Sequence, residues 1–471
     1  MKLYNSETKK VEEFIPNEPG KVKVYTCGPT VYSFAHIGNF RCYIMEDALV
    51  RALEFLGYKV ERVMNITDVG HLSGDNDYGK DKMVKAAQEE HKSVLEIAKF
   101  YTDAFKEDFK KLGLKWPDVL MPATQCIDTY IQIIIALIEK GFAYKSGGNI
   151  YFDTSKLKEY YRFGNQNAND NIVGAREGVE EDRDKRNQND FALWFTKSKF
   201  EEQALKWDSP WGIGYPGWHI ECSGISYKYL GDKLDIHCGA VDNQFPHHTN
   251  EIAQSESFFG HKWCSFWFHV GLLNAGDGAK MSKSLGNLYT ISDLQKRGYS
   301  PIVYRFFNLQ SHYRNQLAFS FEALDSAKSA YNKLLKRISL LEKTKVAINK
   351  EAFDKYRGQF ADALGNDLNT SLAITTVFDV LKADISDSTK VKLILEFDKF
   401  FHLGFTEVIE NGLPQDELDA DIKKHVEEQI VLRAEAKKNK DYALADKIRK
   451  DLLDSGIELV DTPTGTTYHK K

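Results

Sequence analysis

The stretch Cys27-Gly28-Pro29-Thr30-Val31-Tyr32-Ser33-Phe34-Ala35-His36-Ile37-Gly38-Asn39 decides how this chain is read. Before it, Lys21 to Thr26 alternates polar and apolar residues, with Val22 and Val24, and predicts a strand. After it, Asn39 to Leu56 carries apolar residues at helical spacing (Tyr43, Ala48, Leu49, Ala52, Phe55, Leu56) and stops at Gly57. A second apolar run, Val60 to Ile66, predicts another strand. Strand, loop, helix, strand is the unit of a parallel sheet, because parallel neighbours need a crossover connection. Ligands gather where such strands end and helices begin, since free backbone N–H groups and the helix dipole favour anions there. One turn therefore presents a thiol, an imidazole and a glycine where a phosphate would sit.

Taken singly, a cysteine at a strand end is usually packing and a His-Ile-Gly is noise. The reading rests on a second stretch, Lys280-Met281-Ser282-Lys283-Ser284, between Gly276-Asp277-Gly278 and Gly286. Two lysines offset by three and flanked by hydroxyls make a cationic clamp. It suits pyrophosphate leaving a nucleotide, where negative charge builds on the departing oxygens. With these residues in this order, the chain resembles the class I aminoacyl-tRNA synthetases. Residues 36 to 39 are similar to that family's HIGH signature and residues 280 to 284 to its KMSKS signature.

Composition sets the bounds. The 471 residues are 42% hydrophobic and 28% charged, which fits a chain of several globular domains. A net charge of −5 does not announce a nucleic-acid binder, so any such contact would use local basic patches. Met1 to Gly20 lacks the apolar core of an export signal, and the most apolar run, Ile131 to Ile138, is too short to span a membrane. The cysteines at 27, 42, 126, 222, 238 and 264 follow no disulfide-like spacing, so a reducing cytoplasm is expected.

The expected fold class is α/β: a Rossmann-like parallel-sheet domain with an insertion, then a helical bundle and a small mixed α/β terminal domain. Its parts are the sheet domain's first half (1–120), the insertion (121–205), the second half with the lysine loop (206–317), the bundle (318–404) and the terminal domain (405–471). Gly70 to Lys82 reads as a solvated loop, and Ser93 to Leu112 and Ile127 to Lys140 read as helices. The sheet is expected to resume near Trp207, with Leu234 to His237 as one strand and Phe266 to Leu273 as the last. Leu324, Ala327, Tyr331, Leu334, Ile338 and Leu341 form an amphipathic stripe that reads as bundle core. Thr370 to Ile385 and Thr389 to Phe401 read as further helices, Gly404 to Asp416 as a linker, Lys423 to Lys437 and Asp441 to Asp454 as helices. Ile457 to Val460 and Thr466 to His469 read as a hairpin.

Four residues could converge on one metal: Cys27, Cys222, His247 and Glu251. His247 and Glu251, four apart on an expected helix, share one face. Cys27 and Cys222 are expected at the ends of neighbouring strands. Two thiolates, an imidazole and a carboxylate suit Zn²⁺, although no CxxC pair is present and buried single cysteines are the alternative. Residues 27 to 39, 216 to 224 (PGWHIECSG), 245 to 254 (FPHHTNEIAQ) and 280 to 287 resemble the cysteinyl-tRNA synthetase family. The resemblance continues through Asn366-Asp367-Leu368-Asn369-Thr370 to the carboxyl terminus.

That resemblance implies one Zn²⁺ per chain on Cys27, Cys222, His247 and Glu251, with the substrate's own thiol as a further ligand. It places ATP, with Mg²⁺, at His36, Gly38, Asn39, Gly239, Asp242, Lys280 and Lys283. His36, Asn39, Lys280 and Lys283 would act in catalysis, and Thr67, Trp218 and His247 would line the cysteine pocket. Substrates would be L-cysteine, ATP and tRNA(Cys), the last read by residues 405–471, and the protein would be a cytoplasmic monomer. Lys423, Lys424, Arg433, Lys437, Lys438, Lys440, Lys447, Arg449, Lys450, Lys470 and Lys471 would serve the RNA backbone, and Tyr468 would be free to stack on a base. Asn39 departs from the family signature, which has His there, and the Gly70–Lys82 loop is longer than usual. Two other readings stand beside this one. A cysteine:amino-sugar ligase would lack residues 405–471, and an inactive copy would have no need of both lysines.

Overall fold

Five strands, β1 (Lys21–Thr26), β2 (Lys59–Ile66), β3 (Val119–Pro122), β4 (Leu234–Ala240) and β5 (Cys264–Val270), pair in parallel in the order β5-β4-β1-β2-β3. The computed structural model describes residues 1–69, 93–163, 183–197, 205–275, 288–343, 346–413, 420–439, 441–462 and 465–470. Strand residues alternate between two cores, as the period of two requires. Val22, Val24, Met64, Ile236 and Phe268 face one core, while Tyr25, Val63 and Trp267 face the other. Both faces are covered, the usual condition of a parallel sheet.

Helix α1 (Ile37–Phe55) crosses from β1 to β2 and is buried on almost every side, because the first core continues past it into the helical bundle. That bundle comprises Phe321–Ser339, Lys350–Gly365, Thr370–Lys382 and Asp387–Phe401, and it shares the α1 core through Leu324, Phe360, Val377 and Phe397. Leu341 lies past the end of the first bundle helix, so the stripe ends at Ile338. A buried ion pair ties these layers. Asp47 on α1 accepts from Arg305 Nη2 at 2.6 Å and Arg51 Nε at 2.9 Å, and Arg305 Nε donates to the Phe401 carbonyl at the bundle's end.

Three expectations are corrected. The region after Trp207 does not resume the central sheet. Tyr215–Pro216 instead closes a four-stranded antiparallel sheet with Ala143–Ser146, Asn149–Phe152 and Phe191–Phe195. The run Phe266 to Leu273 is not one strand. At Gly271, where a Cβ would meet the Asn315 carbonyl oxygen at 2.4 Å, the chain leaves β5, and Leu273–Ala275 pairs with Leu317–Phe319. The expected linker begins as a helix, Phe405–Asn411, whose Phe405 and Val408 are buried in the bundle core. Lys2–Asn5 and Lys10–Glu13, for which the sequence carried no expectation, form an antiparallel hairpin.

Beyond residue 419, helices Ala420–Lys438 and Tyr442–Asp454 pack with an antiparallel hairpin, Ile457–Thr462 and Gly465–Lys470. Val426, Ile448, Leu452, Ile457 and Leu459 make its core, with the half-buried Tyr468 packed against it. Arg433 is buried and donates to both oxygens of Asp461, which Lys437 also meets. Of the cations named above, Lys437, Lys438, Lys447, Arg449 and Lys450 are exposed. The side chains of Lys423, Lys424, Lys440, Lys470 and Lys471 lie outside the described residues, as does the Gly70–Lys82 loop. Among the described residues, no helix is long and apolar enough to cross a membrane.

Candidate active site and metal centre

The sheet order reverses between β1 and β4, and the crevice at the carboxyl ends of such strands is where ligands bind. A cleft of about 420 Å³ opens there. Cys27 follows β1, Thr67 follows β2, Gly239 is next to last in β4 and Asp242 lies on the turn after it; all four line the cleft with His36, Gly38, Asn39, Trp218, Cys222 and His247. Of the expected site residues, Glu251 sits behind the cleft wall. Lys280 and Lys283 lie outside the described residues, although Leu273 and Asn274, just before their segment, line the cleft.

The turn into α1 is held by its own side chains. His36 is the N-cap: its Nδ1 accepts from the Asn39 N–H at 3.3 Å, and Asn39 Oδ1 accepts from the His36 N–H at 3.0 Å. This reciprocal pair is a capping box, which satisfies two N–H groups that a helix start would leave unpaired. Asn39 therefore acts here as an acceptor that shapes the turn. With Nδ1 accepting, His36 carries its proton on Nε2 when neutral. Gly38 is required because a Cβ there would lie 2.9 Å from the His36 ring.

The donor set is assembled by two helices and a strand end. Cys222 is not at a strand end, as expected from the sequence, but in the second turn of α2 (Trp218–Leu230). His247 and Glu251 lie on α3 (His247–Phe259), four apart on one face. One donor atom from each of Cys27, Cys222, His247 and Glu251 lies within 4.8 Å of the others. Cys27 Sγ is 4.0 Å from Cys222 Sγ, and Glu251 Oε1 is 3.1 Å from His247 Nε2. Glu251 Oε1 is buried without an aligned hydrogen bond. Two soft sulfurs, one nitrogen and one under-satisfied carboxylate oxygen fit a tetrahedral divalent ion.

These groups share charge among themselves. Burial opposes the Cys222 thiolate, but the hydrogen bond from Cys27 and the nearby His247 prevail and bring its pKa to about 6. The half-buried Cys27 thiol is pushed well up, first by its hydrogen bond to Cys222 and then by desolvation. Burial raises Glu251, yet His237 and His247 outweigh it and hold the carboxyl at about 2. His247, against burial, is raised to about 10 by Glu251 and Cys222.

A ring of further polar side chains, absent from the sequence reading, surrounds this set. His248 Nε2 lies 3.4 Å from Cys27 Sγ, and His237 Nε2 is 2.9 Å from Glu251 Oε2. Cys27, His237, His248 and Glu251 form a second group of donors within 4.8 Å. His269 meets His248 at 2.8 Å, and His219 meets His247 at 3.0 Å. The doubled His247-His248 was the available sequence signal. Gly239 makes room for His248, whose ring would lie 2.7 Å from a Cβ there. Trp218 stacks on His247 with ring centroids 4.3 Å apart. Thr67 donates to Glu221 Oε2 at 3.1 Å, and burial pushes the Glu221 carboxyl well above the usual carboxylate range.

With this geometry in place, comparisons with known proteins give the lineage. A family model described as tRNA synthetases class I (C) catalytic domain matches residues 13–329. The cysteine–tRNA ligase of Treponema denticola is 45% identical over 496 residues, spanning 100% of this chain and 99% of that protein. The cysteine–tRNA ligase of Borreliella burgdorferi is 40% identical over 481 residues, spanning 99% and 98%. Among solved structures, the LeuRS of Agrobacterium radiobacter K84 in its ternary complex with tRNA and LeuAMS aligns with TM-score 0.56 at 13% identity, covering 86% of this chain and 87% of that one. Mycobacterium tuberculosis methionyl-tRNA synthetase in complex with methionyl-adenylate aligns with TM-score 0.53 at 15% identity, covering 83% and 89%. At such identities these two speak for the fold alone.

Proposed function

Since this chain belongs to the class I cysteine–tRNA ligase family, we propose that it joins L-cysteine and ATP into cysteinyl-adenylate and pyrophosphate, then passes cysteine to the 3′-terminal adenosine of tRNA(Cys). The observation that carries this reading is a single cleft in which an anion-binding helix start and a two-thiol donor set face one another. Cys27, Cys222, His247 and Glu251 would hold one Zn²⁺. The bound ion would supply a soft acidic position that takes the substrate thiolate and leaves the serine hydroxyl poorly bound. Discrimination by a methylene alone reaches only about 1–3 kcal/mol, so chemistry of this kind removes the need for editing.

The chain's own groups do the remaining work. Trp218, packed on His247, closes the wall of the cysteine pocket, and Thr67 offers it a hydroxyl oxygen. His36, with its proton on Nε2, donates toward the reacting α-phosphate, and Gly38 lets the nucleotide approach the first turn of α1. Asn39 keeps His36 in place. Gly239 and Asp242 border the nucleotide, with Asp242 as acceptor for ribose hydroxyls. Lys280 and Lys283 neutralise the β- and γ-phosphates of the Mg²⁺-bound nucleotide as pyrophosphate departs. The terminal segment reads tRNA through its exposed Lys438, Lys447, Arg449 and Lys450. The protein would work as a cytoplasmic monomer. Radiolabelled pyrophosphate exchange into ATP tests the reading: it should depend on cysteine and not on serine, and exchange that ignores cysteine would refute it.

A further inference from the structure

Behind the cleft, a chain of hydrogen bonds runs in one direction. The Gly28 N–H donates to Asn65 Oδ1 at 2.8 Å, which leaves the Asn65 NH₂ free to donate to Thr67 Oγ1 at 3.1 Å. Thr67 then has one proton to give, and Glu221 Oε2 accepts it at 3.1 Å. Asn65, Thr67 and Glu221 are all nearly fully buried. Glu221 Oε2 can accept whether the carboxyl is charged or carries a proton on Oε1, the oxygen that has no partner. A hydroxyl has one proton and two lone pairs. Thr67 has committed the proton and one lone pair, so it can offer the cleft only an acceptor.

We propose that Glu221 is a positioning residue for substrate selection: by holding the Thr67 proton, it makes Thr67 an acceptor for the α-ammonium group of the amino acid. This rests on the function proposed above, since the ammonium is the only cationic donor of that substrate. Without Glu221, the Thr67 proton loses this acceptor and can turn toward the cleft, which Thr67 lines, where it would meet the ammonium's own protons. The geometry thus separates two selections made in one pocket. The thiol is chosen by the Cys27, Cys222, His247 and Glu251 set, and the amine by the Asn65, Thr67 and Glu221 relay.

The test compares cysteine with 3-mercaptopropionate, which has the thiol and carboxylate but no amine, in the full-length metal-loaded protein. Loss of a hydrogen bond to a charged group is typically worth about a ten- to hundredfold change in binding. Glu221→Met should raise the cysteine KM in pyrophosphate exchange by that amount, with kcat within about threefold. The Ki of 3-mercaptopropionate should stay within about twofold. Glu221→Gln, whose carbonyl can still accept from Thr67, should behave as the unaltered protein does. Thr67→Val breaks the same relay with Glu221 intact and should give the same selective loss, while the double variant should be no worse than Thr67→Val alone. Equal weakening of both ligands, additive losses, or a Glu221→Gln as poor as Glu221→Met would overturn the proposal. If Glu221→Met does not fold, Thr67→Val without selective loss overturns it alone. Absence of cysteine-dependent exchange in the unaltered protein would instead remove the proposed function.

Discussion

The cleft region and the terminal unit are built on opposite economies of burial. Around the cleft, Cys222, His237, His247, His248, Glu251 and His269 are all buried, in layers continuous with two large cores. Beyond residue 419, five apolar side chains make the core, and the basic side chains Lys438, Lys447, Arg449 and Lys450 stand in water. Burying imidazoles, thiols and a carboxylate is costly unless every group finds a partner. A large core can hold such groups in fixed relation, which metal coordination and thiol recognition need. An RNA backbone asks only for cations within reach, so a small core suffices. The contrast implies that changes in the cleft should act on chemistry or global stability, and changes in the terminal unit on local order and tRNA affinity.

The sharpest way to break that contrast is Cys222→Ser. A hydroxyl is a hard, poor ligand where the set needs a thiolate. Metal content by elemental analysis should fall to near zero. Cysteine activation should drop by more than the ~10²–10³ typical of one lost electrostatic donor. Retention of both metal and activity would refute the metal assignment.

Next in size is Asp47→Asn, which leaves the fully buried Arg305 without its counter-charge. Breaking one partner of a buried pair typically costs about 3–5 kcal/mol, and chemical denaturation should show it. Burial alone would raise the Asp47 pKa, but Arg305, Arg51 and the Lys115 N–H prevail and hold it at about 2. A carboxyl lowered on folding stabilises at pH values above its unfolded pKa. That contribution, about 2 kcal/mol, should be lost as pH falls from about 4 through 2. Asp47→Asn should lack this part of the acid dependence. An unchanged denaturation midpoint would show that the junction between α1 and the bundle does not depend on this pair.

Lys283→Ala follows, and it would place the lysine loop on the chemical side of the contrast. Charge on the departing pyrophosphate develops mainly in the transition state, so adenylate formation should slow by ~10²–10³ with little change in cysteine binding. Pre-steady-state kinetics with unaltered adenylate formation would remove Lys283 from the mechanism.

How much of this was legible depended on whether packing left a periodic trace. The β1–α1–β2 unit was readable because its strand and helix periods survive in the sequence. Cys222 was misplaced because α2 is buried on several sides: His219, Ile220, Glu221, Cys222 and Ser223 are consecutive and all inside, so no amphipathic stripe marks a helix. The helix Phe405–Asn411 hides for the opposite reason, with only Phe405 and Val408 buried among polar neighbours. His237, His248 and His269 come from β4, α3 and β5, and only the parallel pairing of β4 with β5 brings them to one place. The Thr67–Glu221 contact spans 154 residues and leaves no local pattern at all.

The smallest effect tests the terminal unit itself. Arg433 was read as a cation for RNA, yet it lies inside the unit and clamps the hairpin through both oxygens of Asp461, at 2.7 and 2.9 Å. Thr466 Oγ1 donates to the same carboxylate from the opposite strand of the hairpin. Because Asp461 is half exposed, solvent screens the pair, and Arg433→Met should cost only about 1 kcal/mol. With so small a core, even that should loosen the hairpin, seen as faster amide exchange in Leu459, Val460 and Thr467. Cysteine-dependent pyrophosphate exchange should stay as it was, while the tRNA KM rises a few-fold as the reading surface loses its fixed shape. The replacement also removes one charge, so the salt dependence of tRNA binding distinguishes the two accounts. A direct phosphate contact would reduce the salt slope by about one, whereas a clamp that only shapes the hairpin would leave the slope unchanged.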